Sequence, residues 1–224
     1  MTDQLFDISA DPGRPARVVD GAPGAMLIII SGPSGVGKDT IIDALRRREA
    51  ETGRDGDRYY VVTCTTRAPR NGEVDGVNYH FMSRDEFLEK RADRGFLEAN
   101  EVHGNWYGSP RDPVRDALVA GHDVILKIDV QGAQVVKEQV TEALLIFIIP
   151  PSLETLFDRL KSRATETADE LEIRQRDAAI ELARQKDYDH FVTNETGQVE
   201  RTAEMIEAIV ATEHSRHPTR RVRI

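Results

Sequence analysis

A glycine-rich segment near the start of the chain has the composition of a phosphate-binding loop. An apolar run precedes it, a helical pattern follows it, and its sequence is GPSGVGKDT. Glycines allow backbone N–H groups to surround phosphate oxygens, the start of a helix adds positive potential, and a lysine reaches the outer phosphates. The segment therefore predicts a site for a nucleoside triphosphate. Its residues are Gly32, Pro33, Ser34, Gly35, Val36, Gly37, Lys38, Asp39 and Thr40.

Asp39 departs from the usual pattern of such loops. A serine or threonine normally follows the lysine, because its hydroxyl ligates magnesium. In this chain the hydroxyl comes one position later, at Thr40. A carboxylate near a helix N-terminus is also favoured by the helix dipole. The sequence therefore leaves two roles open for Asp39, as a ligand of magnesium or as a partner of the dipole.

A second segment, residues 65–81, carries Arg67 and Arg70 beside a proline. Taken alone, such a segment is more often a solvated loop than a binding site. It becomes informative together with the phosphate-binding loop, with GNWYGS at residues 104–109 and with IDVQG at residues 128–132. In this order and at similar spacing, the segments resemble the guanylate kinase family over residues 27–209. The N-terminal tail and the arginine-rich end lie outside the resemblance.

The resemblance implies how the phosphate of GMP is held. Arg67 and Arg70 would bind it through charge-assisted hydrogen bonds, and the hydroxyls of Tyr79 and Tyr107 would complete the cage. Four donors that converge on a dianion suit a monophosphate acceptor. Without the neighbouring motifs, both tyrosines would be interpreted as packing aromatics with solvated hydroxyls.

The resemblance also implies how guanine is recognised. Glu98 matches the acid that accepts hydrogen bonds from the guanine N1–H and amino group, while Ser109 and Thr63 match hydroxyls near O6. Asp129, at the end of a predicted strand, matches an acid that helps to read the base. Adenine presents an acceptor at N1, so a buried Glu98 would be left unpaired and would reject AMP. Considered alone, Glu98 would be a solvated acid.

Three arginines, Arg159, Arg163 and Arg174, follow in the second half of the chain. The first two lie four residues apart on one helix face, where like charges repel unless an anion joins them. In the resembled family the corresponding arginines come from a lid that closes over the triphosphate and neutralises the transferring phosphoryl group. The resemblance makes these residues and Lys38 the catalytic candidates. Ala164 departs from the family, which usually has glycine there, and we expect a stiffer hinge.

Lys127 is a further departure, because the family typically has an acid at this position. Strand alternation places it on the same face as Ile125 and Asp129, toward the predicted cleft. The resembled enzymes use that acid near magnesium. We therefore expect that the acid has moved to Asp39, which holds the metal, and that Lys127 pairs with Asp39 when the metal is absent. The alternative is that Asp39 serves only the helix dipole and Lys127 only balances its charge.

Apolar periodicity places these residues on an alternating series of strands and helices. Strands are predicted at residues 26–30, 59–65, 124–128 and 144–149. Helices are predicted at residues 40–48, 84–91, 112–120, 133–140, 170–186 and 199–212, with one more that begins after Ser152. Strands that alternate with helices imply a parallel sheet. The resemblance adds the fold class: α/β, with a P-loop NTPase-type parallel sheet and flanking helices, an inserted mixed α+β GMP-binding lobe and a helical lid.

The chain divides by these expectations into four parts. They are a flexible N-terminal tail (1–24), a P-loop core (25–62 and 110–212) that includes a lid at about 159–176, a GMP-binding lobe (63–109) and a basic C-terminal tail (213–224). We expect the basic tail to be solvated, with contact to nucleic acid or an acidic partner as the alternative.

Composition narrows the class of protein. The chain has 30 basic and 39 acidic residues, a formal net charge of −9, and a 39% apolar content that can fill a core. The one cysteine, Cys64, excludes an intrachain disulfide, and no Cys–His cluster has the spacing of a zinc site. The longest apolar run, residues 143–149, is far shorter than the roughly 20 residues of a membrane-spanning helix. We expect a cytoplasmic protein without a secretory signal or membrane segment, and the acidity argues against nucleic-acid binding.

Together, these segments predict an enzyme that transfers the γ-phosphoryl group of Mg·ATP to GMP, and to dGMP, giving GDP and ADP. Mg²⁺ is the expected cofactor, and the sequence leaves the oligomeric state open. One alternative is a sugar-phosphate kinase of the ribose bisphosphate phosphokinase type, which a loop with Asp after Lys also resembles. Another is a non-catalytic guanylate-kinase-like module that binds phosphorylated peptides. The GMP-binding set disfavours the first, and Lys38 with the lid arginines disfavours the second.

Overall fold

The computed structural model describes residues 18–54, 56–102, 104–162 and 168–224. The strands are β1 (Leu27–Ser31), β2 (Arg58–Tyr60), β3 (Cys64–Thr65), β4 (His80–Phe81), β5 (Phe96–Val102), β6 (Asn105–Pro110), β7 (Asp123–Lys127), β8 (Leu144–Ile149) and β9 (His190–Thr193). The helices are α1 (Lys38–Glu51), α2 (Arg84–Ala92), α3 (Arg111–Ala120), α4 (Val130–Gln139), α5 (Leu153–Ser162), α6 (Ala168–Ala183) and α7 (Val199–Arg216), with a 3₁₀ helix at Arg184–Asp187. None of the helices in these ranges is both long and apolar enough to cross a membrane.

The core is a parallel sheet, which the described residues build in the strand order β2-β7-β1-β8-β9. The central strand, β1, is buried along its whole length. Because side chains alternate along a strand, Ile28 and Ile30 pack with residues of α1, α5 and α7 on one face. Leu27 and Ile29 pack with residues of α3 and α4 on the other face. The predicted parallel α/β fold is confirmed.

One strand prediction is wrong, and one strand of the core sheet was not predicted. Residues 59–65 do not form one strand, because β2 pairs with β7 in the core sheet whereas β3 pairs with β6 in a second sheet. The chain crosses between the sheets at residues 61–63. The apolar pattern also fails to predict β9, which has four residues at the edge of the core sheet and leaves Phe191 60% exposed. A short, half-exposed edge strand has no strong periodic signal.

The second sheet has the order β4-β3-β6-β5 and includes both parallel and antiparallel pairs. Phe87 of α2 stacks on Phe96 of β5, with ring centroids 4.5 Å apart. Gly108 of β6 lies directly against these rings, and a Cβ there would come within 2.9 Å of both. This small core fixes β5 and β6, the strands that carry Glu98 and Ser109.

The end of the chain packs on the core, so the expectation of a solvated C-terminal tail is wrong. Val222 is fully buried, and Ile224 exchanges backbone hydrogen bonds of 2.9 and 3.1 Å with Val19. These apolar residues alternate with arginines, so one side of the extended segment can face the core. Arg220 pairs with Glu213 at 3.0 Å instead of extending into solvent. Residues 1–17 of the predicted N-terminal tail lie outside the described residues.

Candidate functional site

The candidate site lies at the carboxyl ends of the core strands, where open α/β sheets bind their ligands. β1 leads into the glycine-rich loop, and the neighbouring β7 ends at Lys127, which pairs with Ile30. Asp129 then caps α4 by accepting the N–H of Gly132 at 2.7 Å. Sheet pairing therefore brings residues 32–40 and residues 127–129 together.

The glycine-rich loop has the backbone that phosphate binding requires. Gly37 is left-handed, with φ of 101°, and directly precedes Lys38, so the first turn of α1 begins at the end of the loop. A Cβ on Gly32 would lie 2.4 Å from the carbonyl oxygen of Ile148 on β8. Lys38 Nζ donates to the carbonyl oxygens of Gly32 at 2.5 Å and Pro33 at 3.1 Å. The ammonium therefore lies across the loop, as the predicted phosphate site requires.

Carboxylates surround the loop lysine. Burial lowers the pKa of Lys38, and this effect exceeds the opposing influence of Glu181, Asp129 and Asp39. Glu181 of α6 also accepts the backbone N–H of Ser34 at 3.0 Å, and burial raises the pKa of this carboxyl. A triphosphate entering this site therefore needs positive charge beyond that of Lys38.

Two side chains from later in the chain donate hydrogen bonds to the backbone of the loop at Val36. Asn194 is buried and donates from Nδ2 to the carbonyl oxygen of Val36 at 2.8 Å. Arg159 Nη1 donates to the same oxygen at 3.2 Å, and its Nη2 donates to the carbonyl of Asn194 at 3.1 Å. A carbonyl oxygen has two lone pairs, so both donors can be satisfied at once. The structure thus places Arg159, predicted as a catalytic lid residue, against the backbone of the loop.

Asp39 and Lys127 form an ion pair, which confirms the pairing expected from the sequence. The side chain of Lys127 is 20% exposed, and that of Asp39 is 60% exposed. Burial lowers the pKa of Lys127, but the neighbouring Asp39 carboxylate and Tyr79 hydroxyl outweigh burial, so the net shift is upward. Within the described ranges, no three His, Cys, Asp or Glu side chains converge as a ready metal site.

Arg67, Tyr79 and Tyr107 come together as the resemblance implies. Arg67 Nη2 bonds both carboxylate oxygens of Glu73, at 2.8 and 2.9 Å, and its guanidinium carbon lies 5.5 Å from the centroid of the Tyr79 ring. The rings of Tyr79 and Tyr107 meet edge to face, with centroids 6.1 Å apart. Arg70 is exposed beside them, and its backbone N–H donates to Glu73 at 2.7 Å. Three of the four predicted phosphate-binding side chains therefore form one cluster.

Glu98 lies in a closed polar pocket and is 6% exposed. Ser109 Oγ donates to its Oε1 at 2.5 Å, and Asn100 Nδ2 donates to its Oε2 at 2.9 Å. Burial raises the pKa of Glu98 to about 8, against the opposing hydrogen bonds of Ser109 and Asn100. A Cβ on Gly132 would come within 2.9 Å of Glu98 Oε2, so the glycine leaves room at the carboxyl group. The solvated alternative for Glu98 is wrong.

Asp129 and Thr63 complete the predicted base-binding set. The charge of Asp129 adds to burial in raising the pKa of Glu98, and it opposes burial at Lys38. Asp129 is therefore within electrostatic range of both the base pocket and the glycine-rich loop. Thr63 is 6% exposed in the segment that crosses between the two sheets.

Two of the predicted lid arginines cannot be placed in the site. Arg163 and the neighbouring Ala164 lie outside the described residues. Arg174 lies in α6, but its side chain is outside the description. Their roles stay predictions.

Four further residues contact the site and carry no prediction from the sequence. Asn100 lies two positions after Glu98 on β5, so strand alternation could have identified it. Glu73 lies within the arginine segment itself. Glu181 and Asn194 come from 147 and 158 positions away from their partners in the loop, and no local pattern signals such contacts.

Known proteins resemble this chain in sequence. The sequence model of the guanylate kinase family matches residues 24–213. Guanylate kinase of Clostridium perfringens is 45% identical over 191 residues, which cover 85% of this chain and 85% of that protein. Guanylate kinase of Bacillus cereus is 46% identical over 191 residues, which cover 85% of this chain and 90% of that protein.

A solved structure of a guanylate kinase also matches this chain. The crystal structure of guanylate kinase from Anaplasma phagocytophilum has a TM-score of 0.66 and 31% identity to this chain. The match covers 84% of this chain and 86% of the other. The family model, over residues 24–213, includes the glycine-rich loop and the second sheet. The chain therefore belongs to the guanylate kinase family.

Proposed function

We propose that this chain transfers the γ-phosphoryl group of ATP to GMP, and to dGMP, with release of ADP and GDP. One observation carries the proposal: the carboxyl group of Glu98 adjoins the donor loop. A Cβ on Gly132 would lie 2.9 Å from Glu98 Oε2 and 3.4 Å from Asp129 Oδ1. Asp129 lies two positions after Lys127, which pairs with Asp39 of the loop. A monophosphate whose base is read at Glu98 would therefore extend its phosphate toward the loop that holds the donor. Such positioning of two reactants supplies much of the rate enhancement in phosphoryl transfer.

Glu98 supplies the base specificity in this proposal. As a carboxylate it accepts hydrogen bonds from the guanine N1–H and amino group, and Ser109 and Asn100 orient it. Thr63 and Asp129 border the base. Since burial raises the pKa of Glu98 to about 8, the group gives up a proton when guanine binds at neutral pH.

The cluster of Arg67, Tyr79 and Tyr107 binds the acceptor phosphate, joined by Arg70. Both carboxylate oxygens of Glu73 accept from Arg67 Nη2, and the carbonyl oxygen of Ala68 accepts from Nη1 at 2.6 Å, so both ends of the guanidinium are held. Phosphate binding then adds charge-assisted hydrogen bonds to an arginine that is already oriented.

The transfer step needs no side-chain nucleophile, because the acceptor phosphate is already an anion. Lys38 binds the outer phosphates of the donor. Arg163 and Arg174 neutralise charge on the transferring group. Arg159 supports the reaction by holding the Val36 carbonyl, and with it the loop, in place.

Magnesium is the proposed cofactor. Mg²⁺ usually keeps several waters and is held by one or two protein oxygens together with substrate phosphates. The exposed carboxylate of Asp39, directly after Lys38, fits this mode, and Thr40 offers a hydroxyl that now donates to the Gly37 carbonyl at 2.8 Å. When bound, the metal would neutralise charge on the donor phosphates. To bind the metal, the Asp39 carboxylate would have to leave the ammonium group of Lys127.

An assay of acceptor choice tests this function against its alternatives. We expect ADP release with GMP and dGMP, and GDP or dGDP as the second product. ADP release with ribose 1,5-bisphosphate in place of GMP would favour the sugar-phosphate kinase. Binding of a phosphoserine peptide without any ADP release would favour the non-catalytic module. Lys38→Met, which removes the loop ammonium, is the control and should abolish turnover.

We also assign the reaction to purine nucleotide metabolism in the cytoplasm. The free, buried thiol of Cys64 fits a reducing compartment. Fractionation of cells that express the tagged protein tests this location.

A further inference from the structure

Lys127 lies between two parts of the proposed active site. On one side its Nζ pairs with Asp39, at the start of α1. On the other side Nζ is 5.2 Å from the centroid of the Tyr79 ring, and Arg67 lies 5.5 Å from the same centroid. Asp39 belongs to the donor loop, whereas Tyr79 and Arg67 belong to the acceptor-phosphate cluster. One ammonium group is therefore within reach of both.

The position of Lys127 restricts its choice of partner. It ends β7, which is held between β1 and β2 in the core sheet, and its side chain is only 20% exposed. A mostly buried ammonium needs an anionic partner, because its hydration is largely lost. If Asp39 turns to a metal ion, Lys127 requires another anion. The phosphate bound beside Tyr79 would be the one within reach.

We propose that Lys127 couples the two nucleotide sites: it pairs with Asp39 until Mg·ATP takes that carboxylate, and then binds the acceptor phosphate. This inference rests on the proposed function. Lys127 is then a phosphate-binding residue, and the exchange makes Mg·ATP strengthen the binding of GMP. By thermodynamic reciprocity, GMP strengthens the binding of Mg·ATP by the same factor.

Calorimetric titration of GMP measures this coupling without turnover. GMP is titrated into the protein alone and into the protein saturated with Mg·AMP-PNP, a non-hydrolysable analogue of ATP. We expect GMP to bind about tenfold more tightly in the second titration. In Lys127→Met this ratio should fall about fivefold, because the gain in the presence of the analogue is lost. Lys127→Arg should retain coupling, and Lys186→Met, which removes an exposed positive charge from the 3₁₀ helix, should leave it unchanged.

Asp39→Asn tests the same coupling by removing the carboxylate instead of the ammonium. Without the carboxylate, Lys127 is available to the acceptor at all times, so GMP should bind more tightly even without the analogue. AMP-PNP with EDTA in place of magnesium should give the unmodified protein little coupling, since Asp39 then keeps Lys127.

Two results would overturn the inference. They are a wild-type coupling ratio in Lys127→Met, and an unchanged GMP affinity in Asp39→Asn without the analogue. Titration of Mg·AMP-PNP alone shows whether the Lys127 variants are folded with an intact donor site, and a thermal unfolding curve shows whether Asp39→Asn is folded. If the unmodified protein bound no GMP at all, the proposed function itself would fail instead.

Discussion

Ser109 Oγ lies 2.5 Å from Glu98 Oε1 and donates its hydrogen to it inside the second sheet. The two residues face each other in the pairing of β5 with β6, next to an irregularity between Phe96 and Glu98 in that register. The sheet itself therefore sets the position of the carboxyl group, and Asn100 on the same strand fixes its second oxygen. A buried acid that is held in this way can select a ligand by its hydrogen-bond donors.

Replacement of Glu98 by glutamine should erode the preference for GMP. A side-chain amide offers one accepting atom where the carboxylate offers two, so one guanine donor loses its partner. We expect kcat/KM for GMP to fall by about 10²-fold or more, while kcat/KM for AMP changes little. The measurement is ADP release with each acceptor. An unchanged ratio of the two values would show that Glu98 does not read the base.

GMP binding should strengthen as pH rises toward 8. Burial raises the pKa of Glu98 to about 8, and guanine requires the deprotonated form, so binding below that pH must release a proton. The Kd for GMP should fall by up to about tenfold per pH unit between pH 6.5 and 8, and then level off. The phosphate ionises with a pKa of about 6 and contributes little in this range. In Glu98→Gln the Kd for GMP should no longer depend on pH in this range. If the pH dependence were the same as in the unmodified protein, the released proton would come from another group.

The predicted lid arginines should affect the chemical step. Arg163→Ala and Arg174→Ala should lower kcat by about 10²-fold or more and leave the Kd for GMP nearly unchanged, because their partner is the transferring phosphoryl group. Arg70→Ala is the matched comparison and should weaken GMP binding. Steady-state kinetics with separate GMP titrations distinguish these outcomes. If Arg163→Ala changed only the KM for GMP, the proposal that Arg163 acts on the transferring phosphoryl group and Arg70 on GMP binding would be contradicted.

A double-mutant cycle of Asp39→Ser and Lys127→Asp tests whether the magnesium-binding acid has moved from position 127 to position 39. If Asp39 holds magnesium, Asp39→Ser alone should weaken the magnesium dependence of AMP-PNP binding. The neutral serine hydroxyl then faces the metal beside the Lys127 ammonium, which has lost its carboxylate partner. Adding Lys127→Asp restores a carboxylate and should recover most of that loss. The effects on magnesium affinity and kcat should therefore be strongly non-additive. Additive effects would contradict the exchange of positions. They would favour the alternative, in which Asp39 interacts only with the helix dipole and Lys127 only balances its charge.

Local patterns predict the donor side of the site, whereas the GMP-binding residues are predicted only through the family resemblance. The glycine spacing identifies the loop around Lys38, and strand alternation predicts that Lys127 and Asp129 face the same cleft. In the structure Lys127 ends β7 and Asp129 caps α4. The approximate positions of the core helices follow from their apolar periodicity. These features depend on residues close in the sequence, which a single chain displays directly.

Long-range contacts explain what the patterns miss. Glu181 and Asn194 reach the loop from distant elements, and neither lies in a recognisable motif. The break after β2 depends on which neighbour each half of residues 59–65 finds in the folded sheets. The burial of Val222 likewise depends on a core surface that forms only when the chain is folded.

The ratio of kcat/KM for GMP to that for AMP tests the central claim most directly. Both acceptors carry the same phosphate, so the cluster around Arg67 treats them alike and the difference reports the pocket of Glu98. We predict that the unmodified protein, assayed by ADP release with saturating Mg·ATP, favours GMP by about 10⁴-fold or more. Equal turnover of AMP and GMP would contradict the claim that a buried carboxylate selects guanine.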